Sequence, residues 1–336
     1  MRICTITCQN ADNHGARLQC YALVRYLQKQ GHDVQVIDYR PDYMRGPRLW
    51  YWPGTSLKEW AKFFLRIPDR IRSVRRHRCF DEFSKKYIPL TRIYNTIDEL
   101  RQDPPLADKY IAGSDQIWNT TFRNGTDPAY YLDFGSKEIL RESFAASFAT
   151  SEIVPSARAF VKENLKRFDK ITVREQSALK IVENLGYQCS LQDDPVFLLS
   201  AKEWDEIVDR TGEGEKYVLV YDFYADEKIK KEALLIARER GCGVYAICSR
   251  ELPYADKNFV YSSPETFVSL IKNSVCVISN SFHGTVFAMI YNVPFKVIDR
   301  PDGLNVRMHD LLERYNMRNV KCTMPTWGGA LSLARL

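Results

Sequence analysis

Short apolar runs alternate with amphipathic stretches along most of this 336-residue chain. Residues 2–7 read as a first strand. Ala16 to Lys29 reads as a helix with Leu23 and Leu27 on one face, stopped by Gly31, and Val34-Gln35-Val36-Ile37 reads as a second strand. A strand, helix and strand in that order make a βαβ unit, which implies a parallel sheet covered by helices. The stretch 40–105 is less regular. It holds an aromatic loop, Arg48-Leu49-Trp50-Tyr51-Trp52-Pro53-Gly54, and a basic segment over 57–86 that reads as helical with an interruption near Pro68. Order returns with a strand at Asp108 to Ala112, which runs into Gly113-Ser114-Asp115. A further strand is expected from Arg141 to Phe148. Ile171-Thr172-Val173 then leads into a helix from Glu175 to Leu185, closed by Gly186.

The second half alternates more cleanly. Strands are expected at Tyr217 to Tyr221, Gly243 to Cys248, Val275 to Ser279 and Phe295 to Ile298. Helices are expected from Asp226 to Arg240, ending at Gly241, from Ser263-Pro264 to Lys272, and from Thr285 to Tyr291. Ser followed by Pro is an N-cap with proline at the first helical position. Asp193-Asp194-Pro195 marks the change of lobe, because proline disfavours helix in the residue before it. The expectation is therefore α/β, with two Rossmann-like lobes, 1–194 and 195–336, facing a central cleft in a GT-B-like arrangement, and with 40–105 as a basic and aromatic insertion in the first.

Composition sets the class. Apolar residues make up 45% and charged residues 27%, the balance of a globular protein rather than a disordered one. No apolar run approaches the roughly 18 residues of a membrane span, and the first residues lack the pattern of a signal peptide. Nine cysteines, with no C-x-x-C pair, sit partly in strand-like runs such as Val275-Cys276-Val277-Ile278. That is the usage of reduced, buried thiols, and it points to a cytoplasmic protein without a metal site. The net charge is +6, and residues 58–78 alone carry eight Lys and Arg against two acidic residues. Interleaved with Trp50, Trp52, Trp60, Phe63 and Phe64, this charge gives residues 48–78 the pattern of a surface that meets anionic membrane or a lipid-linked molecule, or of a basic helix packing its aromatics on its own lobe. Nothing points to nucleic acid.

Candidate chemistry lies where strands end, since side chains there face the ligand crevice of a parallel sheet. In Ser279-Asn280-Ser281-Phe282-His283-Gly284-Thr285 a buried strand gives way to a polar turn and then a helix. Helix-start amides favour an anion, His283 is suited to proton transfer, and Gly284 would allow close backbone approach. A histidine that caps a helix or fills a core is the competing reading. Arg174, after an apolar strand, offers a planar fork to a carboxylate or phosphate, or else a salt bridge to Glu175 or another acid. Arg307 stands under the same two readings. Asn13, Gly15 and Gln19 follow the first strand, but without G-x-G-x-x-G no dinucleotide site is indicated. Ser114 and Asp115 either cap a helix or, for Asp115, accept a proton from a sugar hydroxyl.

Five segments occur in an order that resembles the polysaccharide pyruvyl transferases: Asn13-x-Gly15-Ala16-x-Leu18-Gln19, Gly113 to Asn119, Val173-Arg174-Glu175, Asp194-Pro195-Val196, and Ser279 to Thr285. The resemblance covers roughly residues 1–312. It implies a GT-B-like fold and transfer of a pyruvyl unit from phosphoenolpyruvate to a lipid- or nucleotide-linked sugar, forming a ketal without a cofactor. It further implies that His283 is the essential histidine and that Arg174 holds the donor. The family carries arginine two residues before the histidine, where this chain has Ser281. Either another cation, Arg307 being the candidate, supplies the missing charge, or the donor differs. A glycosyltransferase using a nucleotide sugar and a non-catalytic carbohydrate-binding member are the alternatives.

Overall fold

The computed structural model describes residues 1–47, 49–50, 54–303 and 305–317. The first sheet is built from β1 (Arg2–Ile6), β2 (Asp33–Tyr39), β3 (Leu90–Tyr94), β4 (Lys109–Ala112) and β5 (Leu140–Ser143), in the order β3-β2-β1-β4-β5 and parallel throughout. The second uses β8 (Tyr217–Tyr221), β9 (Gly243–Ile247), β10 (Lys257–Asn258), β11 (Cys276–Ser279) and β12 (Phe295–Val297), in the order β10-β9-β8-β11-β12 and again parallel. Numbered within each lobe, both orders are 3-2-1-4-5. The chain thus contains two Rossmann-like lobes, as expected. A small parallel pair, β6 (Thr172–Val173) with β7 (Ser190–Leu191), extends the first lobe.

Helices cover the sheets: α1 (His14–Lys29), α2 (Leu57–Leu65), α3 (Ile67–Tyr87), α4 (Ile97–Gln102), α5 (Arg158–Leu165), α6 (Gln176–Asn184), α7 (Ala201–Trp204), α8 (Glu227–Arg240), α9 (Pro264–Asn273), α10 (Phe282–Ile290) and α11 (Val306–Arg314). Their ends follow local chemistry. Ser263 caps α9 by accepting from the Thr266 amide, and Asp226 caps α8, which closes on Gly241 in the left-handed region. The basic segment breaks at Arg66, two residues before the expected Pro68, which lies in the first turn of α3.

Four expectations are corrected. The stretch 40–105 is only partly an insertion, because β3 completes the first sheet and α4 follows it. The strand expected from Arg141 to Phe148 stops at Ser143, since Ala145 and Ala149 take positive φ and turn the chain. No helix follows Gly113-Ser114-Asp115; Asp115 has φ 72° and makes a single bridge to Ala146. Helix α10 begins three residues early, at Phe282, because Ser281 serves as its N-cap. Seven cysteines (4, 8, 20, 79, 189, 242 and 248) are free. Cys322 lies outside the described residues. Of the aromatic loop, Arg48, Tyr51, Trp52 and Pro53 lie outside the described residues. Among the described residues no helix is long and apolar enough to cross a membrane.

The lobes meet through α1. Its Leu18, Tyr21 and Leu23 share one apolar cluster with Trp204, Phe267 and Phe287 of the second half. His14, at the first turn of α1, is buried in this seam. Its ring stacks on Phe267 at 4.7 Å, its Nδ1 lies 3.1 Å from the Tyr221 hydroxyl, and its Nε2 lies 3.1 Å from the Ser262 carbonyl. A neutral ring suits this: Nε2–H donates to the carbonyl and Nδ1 accepts from tyrosine. Burial, reinforced by Arg76, pushes the His14 pKa down to about 3. The unfolded chain binds a proton at His14 below about pH 6.5, whereas the folded protein does not. The stability tied to neutral His14 is therefore complete above that pH and is lost as pH falls toward about 3. We expect urea denaturation to show a decline from pH 7 to pH 5 that reaches at most about 1.4 kcal/mol per pH unit from this residue. His14→Gln, which cannot titrate, should flatten the decline, and an identical slope in the variant would contradict the assignment.

Candidate functional site

In each sheet the strand order reverses between its first and fourth strands, and ligands of such sheets bind beyond the carboxyl ends of strands at that point. Here the reversals lie between β1 and β4 and between β8 and β11. The loop after β1 carries Asn13 and leads to Gly15 on α1. The loop after β4 carries Ser114 and Asp115. After β11 come Asn280, Ser281 and His283. Arg174 follows β6 directly. The two reversals thus deliver most of the sequence-selected residues to the junction of the lobes.

At the centre is a residue that the sequence reading used only as a boundary marker and a family motif. Asp194 is 1% exposed. Its Oδ2 pairs with Arg174 Nη1 and lies 3.5 Å from His283 Nε2, while Oδ1 accepts from the Val196 amide at 3.1 Å. Burial alone would raise the Asp194 pKa; the Arg174 guanidinium and His283 outweigh it and hold the carboxyl well below the usual carboxylate range. Arg174 also reaches Asp115 Oδ1 at 3.4 Å, and its Nε is buried without a hydrogen-bond partner. Burial would depress its pKa, but Asp194, Asp115 and Glu175 together raise it. The expected competing partner, Glu175, is 4.0 Å away and instead accepts from Ser147 Oγ and the amides of Phe148 and Ala149.

Arg307, in the first turn of α11, approaches the same Asp115 oxygen at 3.6 Å. The guanidinium carbons of Arg174 and Arg307 lie 5.0 and 5.8 Å from the centre of the Phe282 ring. Burial, together with repulsion from Arg174, pushes the Arg307 pKa down to about 10. Two like charges are thus held beside one phenyl ring and share one carboxylate oxygen. An anion placed between them relieves that repulsion. The cleft lined by Arg174, Asp194, Phe282 and Arg307 is tight, with room for about one water molecule as it stands.

The remaining selected residues support this cluster. Asn13 caps α1 through the Ala16 amide. Gln19 donates to Thr7 Oγ1 and accepts from the Ser114 amide, and Ser114 donates to the Ala145 carbonyl. Asn280 donates to Asp222 at 2.7 Å. Ser281 accepts from the Gly284 amide at 3.4 Å, and Thr285 donates back to the Ser281 carbonyl. Gly284 is small for a different reason than expected: a Cβ there would meet Ser279 Oγ at 2.9 Å and Tyr221 at 3.0 Å, so it serves packing of α10 on the sheet. His283 lies in the first turn of α10 rather than in a free loop. Gly15 permits the closest approach in the site, since a Cβ there would sit 1.8 Å from His283 Nδ1.

The sequence profile of the polysaccharide pyruvyl transferase family matches residues 13–302. No curated protein matches the chain. Among solved structures, UDP-N-acetylglucosamine 2-epimerase from Rickettsia bellii is similar at 12% identity and a TM-score of 0.43, covering 97% of this chain and 91% of that one. The Methanocaldococcus jannaschii UDP-GlcNAc 2-epimerase aligns at 10% identity and a TM-score of 0.48, covering 93% and 92%. E. coli heptosyltransferase WaaC with ADP-2-deoxy-2-fluoro heptose aligns at 13% and 0.39, covering 94% and 100%.

The close approach of Gly15 to His283 yields a direct test. Gly15→Ala forces the imidazole or the start of α1 to move, and overpacking of this kind costs about 1–3 kcal/mol. Denaturation should register that loss, and the imidazole NMR signals of His283 should shift. A variant with unchanged stability and unchanged His283 signals would show that the two residues are not in contact.

Proposed function

The chain belongs to the polysaccharide pyruvyl transferase family, and on that premise we propose that it transfers a pyruvyl group from phosphoenolpyruvate to a sugar of a polysaccharide or glycolipid precursor, forming a ketal and releasing phosphate. The observation that carries this reading is the pairing of Arg174 with Arg307 beside His283, with Asp194 holding the arginine and the histidine at once. Phosphoenolpyruvate offers a carboxylate and a phosphate, and two guanidinium forks in a partly dry cleft suit both. Arg307 is the cation to which we assign the missing charge. Position 281 is a serine engaged in capping α10, and Arg307 approaches the adjacent Phe282 ring from α11. Asp115, which both arginines now share, is the group an incoming anion would displace. A freed Asp115 becomes available as a base.

The chemistry then runs as follows. His283, as imidazolium, gives its proton to the methylene carbon of the donor, which becomes a methyl group. The adjacent carbon turns electron-poor, and a sugar hydroxyl adds there while Asp115 takes its proton. The bond from that carbon to the phosphate oxygen breaks, and the phosphate leaves with the electron pair. A second hydroxyl closes the ketal, its proton returns to His283, and the proton on Asp115 departs with hydrogen phosphate. Arg174 and Arg307 stabilise the charge that builds on the leaving group.

His283→Gln keeps a hydrogen-bond donor but cannot deliver a proton. We expect phosphate release from phosphoenolpyruvate to fall roughly 10²- to 10⁴-fold, the usual scale of acid–base catalysis, with donor affinity largely kept. A glutamine variant with near-normal turnover would remove His283 from the chemistry.

Arg174 calls for a gentler change, since alanine would strand Asp194 as an unpaired buried charge at a cost of about 3–5 kcal/mol. Arg174→Lys keeps the charge and loses the planar fork. Titration of phosphoenolpyruvate should show affinity weakened by about tenfold or more, consistent with one charge-assisted hydrogen bond of about 1.5–3 kcal/mol, with little change in acceptor affinity. Equal weakening for both substrates would mean that Arg174 only maintains the fold.

A further inference from the structure

Helix α2 is amphipathic in the wrong sense for a helix that packs on a lobe. Leu57, Trp60, Ala61, Phe64 and Leu65 fall at i, i+3, i+4, i+7 and i+8, the spacing of one continuous helical face. In an ordinary surface helix that face is turned to the core. Here Leu57 is 90% exposed, Leu65 79% and Phe64 53%. The only buried residue of α2 is Phe63, outside that stripe, which rests against Arg70 of α3 with the guanidinium 4.1 Å from its ring centre. Trp50, 66% exposed, stands against the same Phe63. The apolar surface is bordered by exposed Lys58, Lys62 and Arg66 and continues into exposed Arg72, Arg75 and Arg78 of α3. Glu59, the acid of α2, is engaged with Ser56 in the helix cap.

We propose that α2 is a membrane-surface anchor that lies flat on an anionic bilayer, its Leu57, Phe64 and Leu65 face in the acyl boundary and its Lys and Arg border among the headgroups. The charge decides between this occupant and a second copy of the chain. A two-fold contact places the same surface on both sides, so the eight basic residues of 58–78 would face their own copies. Anionic lipid supplies the opposite charge, and a tryptophan beside the helix suits the headgroup level. The surface also connects to the candidate site. In α3, Arg76 donates to the Asp12 carbonyl at 3.2 Å and His77 Nδ1 lies 2.6 Å from the Asp12 carboxylate. Asp12 is three residues before Gly15, which touches His283. A protein docked through α2 holds the site at a fixed distance from the bilayer, within reach of a lipid-linked sugar. The anchoring itself does not depend on the proposed reaction.

The test is sedimentation of the full-length protein with vesicles of phosphatidylcholine alone or mixed with phosphatidylglycerol, at low and high salt. The expected result is binding to the anionic vesicles that weakens as salt rises. The pair Phe64→Ser and Leu65→Ser should weaken it by about tenfold or more, as should Lys58→Glu with Lys62→Glu, with melting temperature preserved. Leu57→Ser, at the most exposed position, gives a second reading if the paired variant is destabilised. Variants that bind like the parent, or equal salt-insensitive binding to both vesicle types, would overturn the proposal. So would a dimer in sedimentation equilibrium that Phe64→Ser dissolves, which would assign the face to a second copy.

Discussion

A carboxylate as deeply buried as Asp194 cannot stand alone in the interior, and the arrangement around it follows from that requirement. One oxygen draws Arg174 and His283 to the same point, and the other fixes the turn at Val196 that carries the chain from the first lobe toward the second. The arginine comes from the end of β6 and the histidine from the start of α10, elements that have no strand pairing with each other. The charge between them thus sets the spacing of groups whose backbones are independently placed. A second carboxylate, Asp115, spans Arg174 and Arg307. The cations of the site are therefore already compensated, and the anion binding proposed above would be an exchange of one partner for another rather than the filling of an open positive pocket.

The outline of the second lobe was legible because its strands, Tyr217–Tyr221 and Cys276–Ser279, are buried on both faces and read as unbroken apolar runs, while its helices carry explicit caps such as Ser263 and Gly241. β3 was not legible for the opposite reason. It is an edge strand with only Tyr94 buried, and its Leu-Thr-Arg-Ile-Tyr sequence has no clear alternation. The early start of α10 was hidden by Phe282, which continues the apolar look of the strand while Ser281 already acts as a cap. The turns at Ala145 and Ala149 carry no glycine to announce a positive φ.

The site was legible as a set of addresses and less so as a set of roles. Strand ends located Arg174, His283 and Asp115, Arg307 was a further candidate cation, and the structure gathers these four. Asn13, Gln19, Ser114, Asn280 and Ser281 came from the same strand ends, yet each spends its polar atoms on neighbouring protein groups. A one-dimensional sequence does not distinguish a polar side chain that meets a ligand from one that satisfies a buried amide, since both kinds are needed where strands stop. Asp194 was passed over because the proline after it explained its position well enough as a break in the chain.

The apolar seam along α1 has a further consequence. Leu18 and Tyr21 of the first lobe and Trp204, Phe267 and Phe287 of the second belong to one continuous core, and His14 is stacked within it. Two-lobed proteins whose halves meet over a wet, polar surface can be recombined half by half, each half keeping its own interior. In this molecule such an exchange would cut through the interior itself and leave both halves with an uncovered apolar face. Changes confined to the strand-end loops and to α2, none of whose residues belongs to that core, would leave it closed.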